Sequence, residues 1–233
     1  MLTNEVLILL LIGHFLGDYY IQSDKLAKLK KETLGKLLIH CLEYFLCVTL
    51  IPAIFLRLDY LILSVEIAAF HLIIDFIKYL LEKNNVFNHK QDLVIYLVDQ
   101  LLHVLTIVLV VKYNNVFYPV INVYLLVLLA TLIIIKPCSV TIDKILMIYR
   151  PIDKPSKVNN AGVLIGYLER AIILILLVYQ QFGAIGLVLA AKSIARYSEM
   201  SNNKIFAEYY LMGTLLSTFL VMIVYLLLFG QLF

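Results

Sequence analysis

What the chain lacks narrows it first. It has 3 cysteines in 233 residues; Cys41 and Cys47 share one apolar segment, Cys138 lies far away, and there is no CxxC. That argues against a disulfide framework and against a thiolate zinc site. Charge is scarce as well, with charged residues making up 15% of the chain and a formal net charge of +3. No nucleic-acid surface is expected from so small a surplus, and the basic residues are read through membrane topology instead. Nothing is left over for a soluble domain of useful size. There is no low-complexity tract, and no internal repeat beyond the His/Asp pairs described below. The first apolar stretch has no basic leader and carries Glu5, His14 and Asp18, so it is read as a retained span rather than a signal peptide.

What is present is apolar. Hydrophobic residues make up 63% of the chain and the mean hydropathy is +0.95, with apolar runs of membrane-spanning length recurring from end to end. The expected fold is all-α: a polytopic transmembrane bundle of about eight helices, near 5–22, 35–57, 60–82, 92–112, 119–136, 160–181, 183–198 and 206–230. The segment 183–198 is the shortest and ends in Lys192 and Arg196, which makes it a candidate re-entrant helix. With the N-terminus outside, the inner connections collect Lys25, Lys28, Lys30, Lys31 and Lys36, then Lys78, Lys83 and Lys90, then Lys136, Lys144, Arg150, Lys154 and Lys157, then Lys192, Arg196 and Lys204. The positive-inside rule therefore favours N-out, C-out. The segment from Asp24 to Lys36 mixes leucines and lysines and is expected along the inner membrane surface. The chain divides into a five-helix half over 1–136, a cytoplasmic linker with an amphipathic piece over 137–159, and a three-helix half over 160–233.

Ionisable residues stand out against this background. His71 and Asp75 are four apart, as are His14 and Asp18 and, in reverse order, Asp99 and His103; His40 and Glu43 are three apart. Such spacing puts both side chains on one helix face. Counted from the inner ends, Asp18, His40, Asp75 and Asp99 lie roughly 7–12 Å deep, and His14, Glu43, His71 and His103 roughly 12–18 Å. Groups this costly to bury need partners, water or a metal. One shared site would satisfy them together, with His14, Asp18, His40, His71, Asp75, Asp99 and His103 as metal-site residues and Glu43 as the base. Mixed imidazole and carboxylate donors suit zinc first, then manganese or iron, with room for one or two ions. Gln22 and Gln100 flank the pairs and either hold a water or cap polar helix ends. Gly13 and Gly17 form a small-residue stripe that lets another helix approach. His89 lies in a polar loop and is read as a surface residue.

The second half has its own polar set: Glu169, Arg170, Lys192, Arg196 and Glu208. Two readings stay open here. The set forms an internal salt-bridge network, or its cations hold an anionic substrate group.

The order HFLGDYYIQSDKLAK, LLIHCLEY, AAFHLIIDFIKY, VDQLLHVL resembles the bacterial membrane proteins grouped as domain of unknown function 3307. The stretches IGYLERAIILIL, AIGLVLAAKSIAR and AEYYLMGTLLS resemble the C-terminal half of many members. That resemblance implies a multi-pass protein of the bacterial inner membrane and carries no established activity. The His/Asp spacing is also distantly similar to proteins described as membrane-bound metal-dependent hydrolases. The leading expectation is a metal-dependent hydrolase acting on a lipid-like or phosphorylated, anionic substrate at the cytoplasmic leaflet. The alternatives are a transporter or channel for a divalent cation or an anion, and a membrane scaffold with a structural metal.

Overall fold

A computed structural model describes residues 4–55, 60–84, 86, 91–116, 122–149 and 160–230. The described residues form helices and no strand: α1 (Glu5–Phe15) running on into a π-helical turn (Leu16–Ile21), α2 (Asp24–Leu29), α3 (Leu34–Phe55), α4 (Leu61–Lys83), α5 (Asp92–Tyr113), α6 (Val123–Ile148), α7 (Asn160–Val178), α8 (Phe182–Ala195), α9 (Tyr197–Asn202) and α10 (Lys204–Phe229). Five of them, α3, α5, α6, α7 and α10, are long and apolar enough to cross a membrane. The sequence expectation of about eight spans is higher for identifiable reasons. α1 has 11 α-helical residues before it turns π-helical, α4 carries Glu66, Asp75 and Lys78, and α8 has 14 residues. His89 and the segment 150–159 lie outside the described residues.

The chain forms two compact units, residues 1–132 and 133–233. In the first, α1 packs on α3 and α5, and α4 packs on both α3 and α5. Every residue of α1 from Val6 to His14 is buried. The small-residue stripe on α1 makes this possible. A Cβ on Gly13 would stand 2.9 Å from the Cα of Val48, and one on Gly17 would stand 3.2 Å from the Cα of Tyr44, so the two backbones meet where a side chain would hold them apart. Asn4 caps α1, accepting from the N–H of Val6 at 3.1 Å.

The outer helices are polar inside and apolar outside. α3 buries Leu37, His40, Tyr44, Val48 and Pro52, and α4 buries Leu63, Ser64, Ile67, His71, Asp75 and Tyr79, while Leu38, Leu42, Leu46 and Leu50 of α3 and Ile62, Phe70, Ile73 and Ile77 of α4 are exposed. Such apolar outer faces belong against lipid. Pro52 has no N–H, which deprives the Val48 carbonyl of its helical partner; Ser64 of α4 donates to that carbonyl at 2.9 Å. The proline thus ties α4 to α3.

In the second unit α7 packs on α10 and α8. A helix was expected near 119–136, yet α6 continues to Ile148 with Pro137 inside. Arg170 of α7 braces the helix here. Its guanidinium donates to the carbonyls of Ile134 at 2.5 Å and Ile135 at 3.2 Å, and to Ser139 at 2.5 Å, beside the Ile133 carbonyl that Pro137 leaves without its helical partner. The amphipathic piece beginning at Thr141 is therefore the last part of α6 rather than a separate element.

Candidate metal centre

Four helices of the first unit each turn a polar rung inward. On α3 the rung is His40 and Tyr44, on α4 His71 and Asp75, on α5 Asp99 and His103, all buried. Asp18 comes from the π-helical turn after α1. A π turn closes i to i+5 and is wider than an α turn, so Asp18 is displaced from the position a straight helix would give it. The turn is tied to α5 by a hydrogen bond between the Tyr19 and Tyr96 hydroxyls at 2.7 Å.

The side chains converge. His71 Nε2 donates to Asp18 Oδ1 at 3.1 Å. His40 Nε2 lies 3.4 Å from Asp18 Oδ1 and 3.4 Å from Asp75 Oδ2, and His103 Nε2 lies 3.5 Å from Asp75 Oδ1 and 3.6 Å from Asp99 Oδ1. Yet His40 Nε2, His103 Nε2 and Asp99 Oδ1 are buried without a hydrogen-bond partner. The Tyr44 ring stacks on His71 at 3.6 Å and His71 stacks on His103 at 4.3 Å, which sets the planes of the imidazoles. Gln100 donates to Asp18 Oδ2 and Asp99 Oδ2, both at 3.3 Å.

Three overlapping groups have donor atoms close enough to share an ion: Asp18, His71 and His103; His40, His71 and Asp75; and Asp75, Asp99 and His103. The nitrogen-to-oxygen separations of 3.1–3.6 Å match the edge of a tetrahedron built on zinc bonds of 2.0–2.1 Å, about 3.3 Å. Six of the seven expected ligands are thus brought together. His14 is fully buried at the edge, its Nδ1 3.9 Å from Asp18 Oδ2, and belongs to none of the three groups. Glu43 is also outside them, on the flank of α3 between His40 and Tyr44, with Oε2 buried and without a hydrogen-bond partner. Gln22 is buried just after the π turn.

Two lysines that the sequence reading placed in inner connections reach into the cluster. Lys30, at the end of α2, donates to Asp75 Oδ2 at 3.0 Å, and Lys78 of α4 donates to Asp99 Oδ2 at 2.8 Å. Burial works against the charge on Lys30, but the carboxylates of Asp75 and Asp18 outweigh it and hold the ammonium above the ordinary lysine range. The signal for Lys78 was its place three residues after Asp75 on one helix.

The polar residues of the second unit are matched among themselves. Besides its bonds across α6, Arg170 donates to Ser217 at 3.4 Å. Lys192 bonds Glu169, lies 3.1 Å from Thr214 and sits over the Tyr210 ring. Arg196 pairs with Glu199 at 2.6 Å on the surface, and Glu208 is exposed.

These features define a helical membrane protein, apolar outside, with a buried His/Asp cluster in its first unit. The chain belongs to the family described as protein of unknown function, DUF3307, whose model matches residues 6–133. The match covers the first unit almost end to end, and the C-terminal stretches from Ile165 onward lie beyond it. No curated protein and no solved structure matches the chain.

Proposed function

We propose that the protein is a membrane-embedded metal-dependent hydrolase, centred on the cluster of the first unit and acting on a lipid-like or phosphorylated substrate at the cytoplasmic leaflet. One observation carries this reading. His40 Nε2, His103 Nε2 and Asp99 Oδ1 are buried without a hydrogen-bond partner, on residues that belong to three overlapping donor groups. An arrangement of that kind is costly unless a cation sits among the donors.

Asp18, His40, His71, Asp75, Asp99 and His103 hold the ion, zinc first and manganese or iron next. Three carboxylates facing two ammoniums leave the cluster one negative charge, which suits a single divalent ion better than two. An ion held by these residues would supply Lewis acidity and a water acidified to a pKa of about 7. In hydrolysis the water oxygen bonds to the phosphorus or carbonyl carbon and the bond to the leaving oxygen breaks. The water's proton passes to a carboxylate and from there to the leaving oxygen. Glu43, with a buried and unpartnered oxygen, is the chain's candidate for that relay. We read the N-terminus as outside and the lysine-rich connections as inside, with α1, α4 and α8 joining the five apolar helices in the membrane.

The ion pairs Lys30–Asp75 and Lys78–Asp99 favour a second reading, a self-contained charge network in a scaffold. Metal analysis of the purified full chain separates the two. Stoichiometric zinc in the wild type and its loss in His71→Ala is the expected result, and a metal-free wild type from chelator-free preparation defeats the metal reading. Release of phosphate or acid from lipid micelles by the zinc-loaded chain tests hydrolysis itself.

A further inference from the structure

We propose that Lys30 and Lys78 form the anion-binding rim of this centre, and that the group they take is a phosphoryl group, on a lipid headgroup or as free phosphate. The inference rests on the metal reading above. The two lysines come from different elements, the end of α2 and α4, and approach from one end of the bundle, where Lys31 bonds Glu82 of α4 at 2.9 Å. Their side chains are 15% and 20% exposed, against 2% and 7% for the carboxylates they meet, so each is the more accessible partner of its pair. Among the described residues each ammonium makes one hydrogen bond to the cluster, and an ammonium has three donors.

Charge then decides the kind of ligand. Asp18, Asp75 and Asp99 with one divalent ion alone would carry a net negative charge and repel an anion. Lys30 and Lys78 reverse that sign, to one net positive charge. The cations of the second unit are poor candidates for the same task. Arg170 is spent on the α6 carbonyls and two serines and Lys192 on Glu169 and Thr214, while Arg196 lies on the surface, paired with the exposed Glu199. Beside Lys78, Phe76, Ile77 and Leu80 expose apolar side chains along which an acyl chain can lie.

The experiment uses the full chain in neutral detergent with zinc, titrated with inorganic phosphate and, separately, with phosphatidic acid in mixed micelles. Lys30→Met and Lys78→Met are expected to weaken phosphate binding about tenfold or more while zinc stoichiometry stays at the wild-type value, and the Lys→Arg variants to restore it. Tighter binding of phosphatidic acid than of phosphate assigns the group to a lipid headgroup, and equal binding assigns it to free phosphate. Wild-type phosphate affinity in both Met variants, with zinc retained, overturns the inference; a wild type that binds no zinc overturns the metal reading instead. Should a Met variant fail to fold, acetylation of Lys30 and Lys78 in the zinc-loaded wild type gives the same answer. Phosphate slows it if they bind the anion, and unchanged labelling overturns the inference.

Discussion

Gly13→Ala adds a single methyl group at the closest approach of α1 and α3, and its consequence reaches the cluster. The new Cβ would stand 2.9 Å from Val48 Cα and 3.0 Å from the Cys47 carbonyl oxygen, both backbone atoms that no rotamer change can move. Relief to the 3.4 Å of ordinary contact requires α1 to retreat by at least about 0.5 Å. Overpacking of this kind costs about 1–3 kcal/mol, offset by about 1 kcal/mol from alanine's better helix propensity. The same retreat carries Asp18, on the turn that continues α1, away from His40 and His71, to which it stands at 3.4 and 3.1 Å. A metal ligand displaced through its support loses about 10–100-fold in affinity. Gly35→Ala is the matched control, since nothing lies within 4 Å of its Cβ position. Thermal unfolding in detergent and competitive zinc titration read the two effects. Gly13→Ala is expected to melt lower than Gly35→Ala and to bind zinc more weakly. If it binds zinc like the wild type and melts no lower than the control, the close approach of α1 to α3 does not position Asp18.

Two further changes test the second unit by unfolding in detergent. Arg170→Ala removes the bonds to the Ile134 and Ile135 carbonyls, Ser139 and Ser217, at about 0.5–1.5 kcal/mol for each bond lost, since the two carbonyls keep their partners within α6; Arg170→Lys is expected to rescue poorly, because a point charge does not span two carbonyls and two serines. Lys192→Met strands the buried Glu169 carboxylate and is expected to cost about 3–5 kcal/mol. The exposed pair Arg196–Glu199 contributes at most about 1 kcal/mol, so equal losses from Lys192→Met and Arg196→Ala would show that Glu169 is not buried as described.

The helices were legible as apolar runs of membrane-spanning length, and the polar pairs because they interrupt those runs at helical spacing. Histidine and aspartate four apart among leucines have one face to share, and the structure sets six of them against one another. The glycine stripe on α1 was read correctly as a place of close approach, now seen against Val48 and Tyr44. His14 was less readable. A straight helix would hold it beside Asp18, but the π turn between them widens the register and leaves His14 at the edge. The continuation of α6 through Pro137 was hidden too, since the side chain that braces the turn beside the proline is an arginine 33 residues further on in sequence. Lys30 and Lys78 were counted among the inner connections; their bonds to Asp75 of α4 and Asp99 of α5 show that they turn inward.

Those two lysines bear on why the cluster can exist in lipid at all. Three carboxylates gathered within a few ångströms repel one another, and a low dielectric strengthens that repulsion. Water would normally weaken it, but Asp75 and Asp99 are 2% and 7% exposed. Lys30 and Lys78 neutralise two of the three charges from within the chain. His40 Nε2, His103 Nε2 and Asp99 Oδ1 remain buried without a hydrogen-bond partner. On the metal reading proposed above, a cluster balanced in that way would need one divalent ion rather than several. Since the family match ends where the first unit ends, this balance of three carboxylates and two ammoniums belongs to the part of the chain that defines the family, and the Arg170 and Lys192 network to the part that follows it.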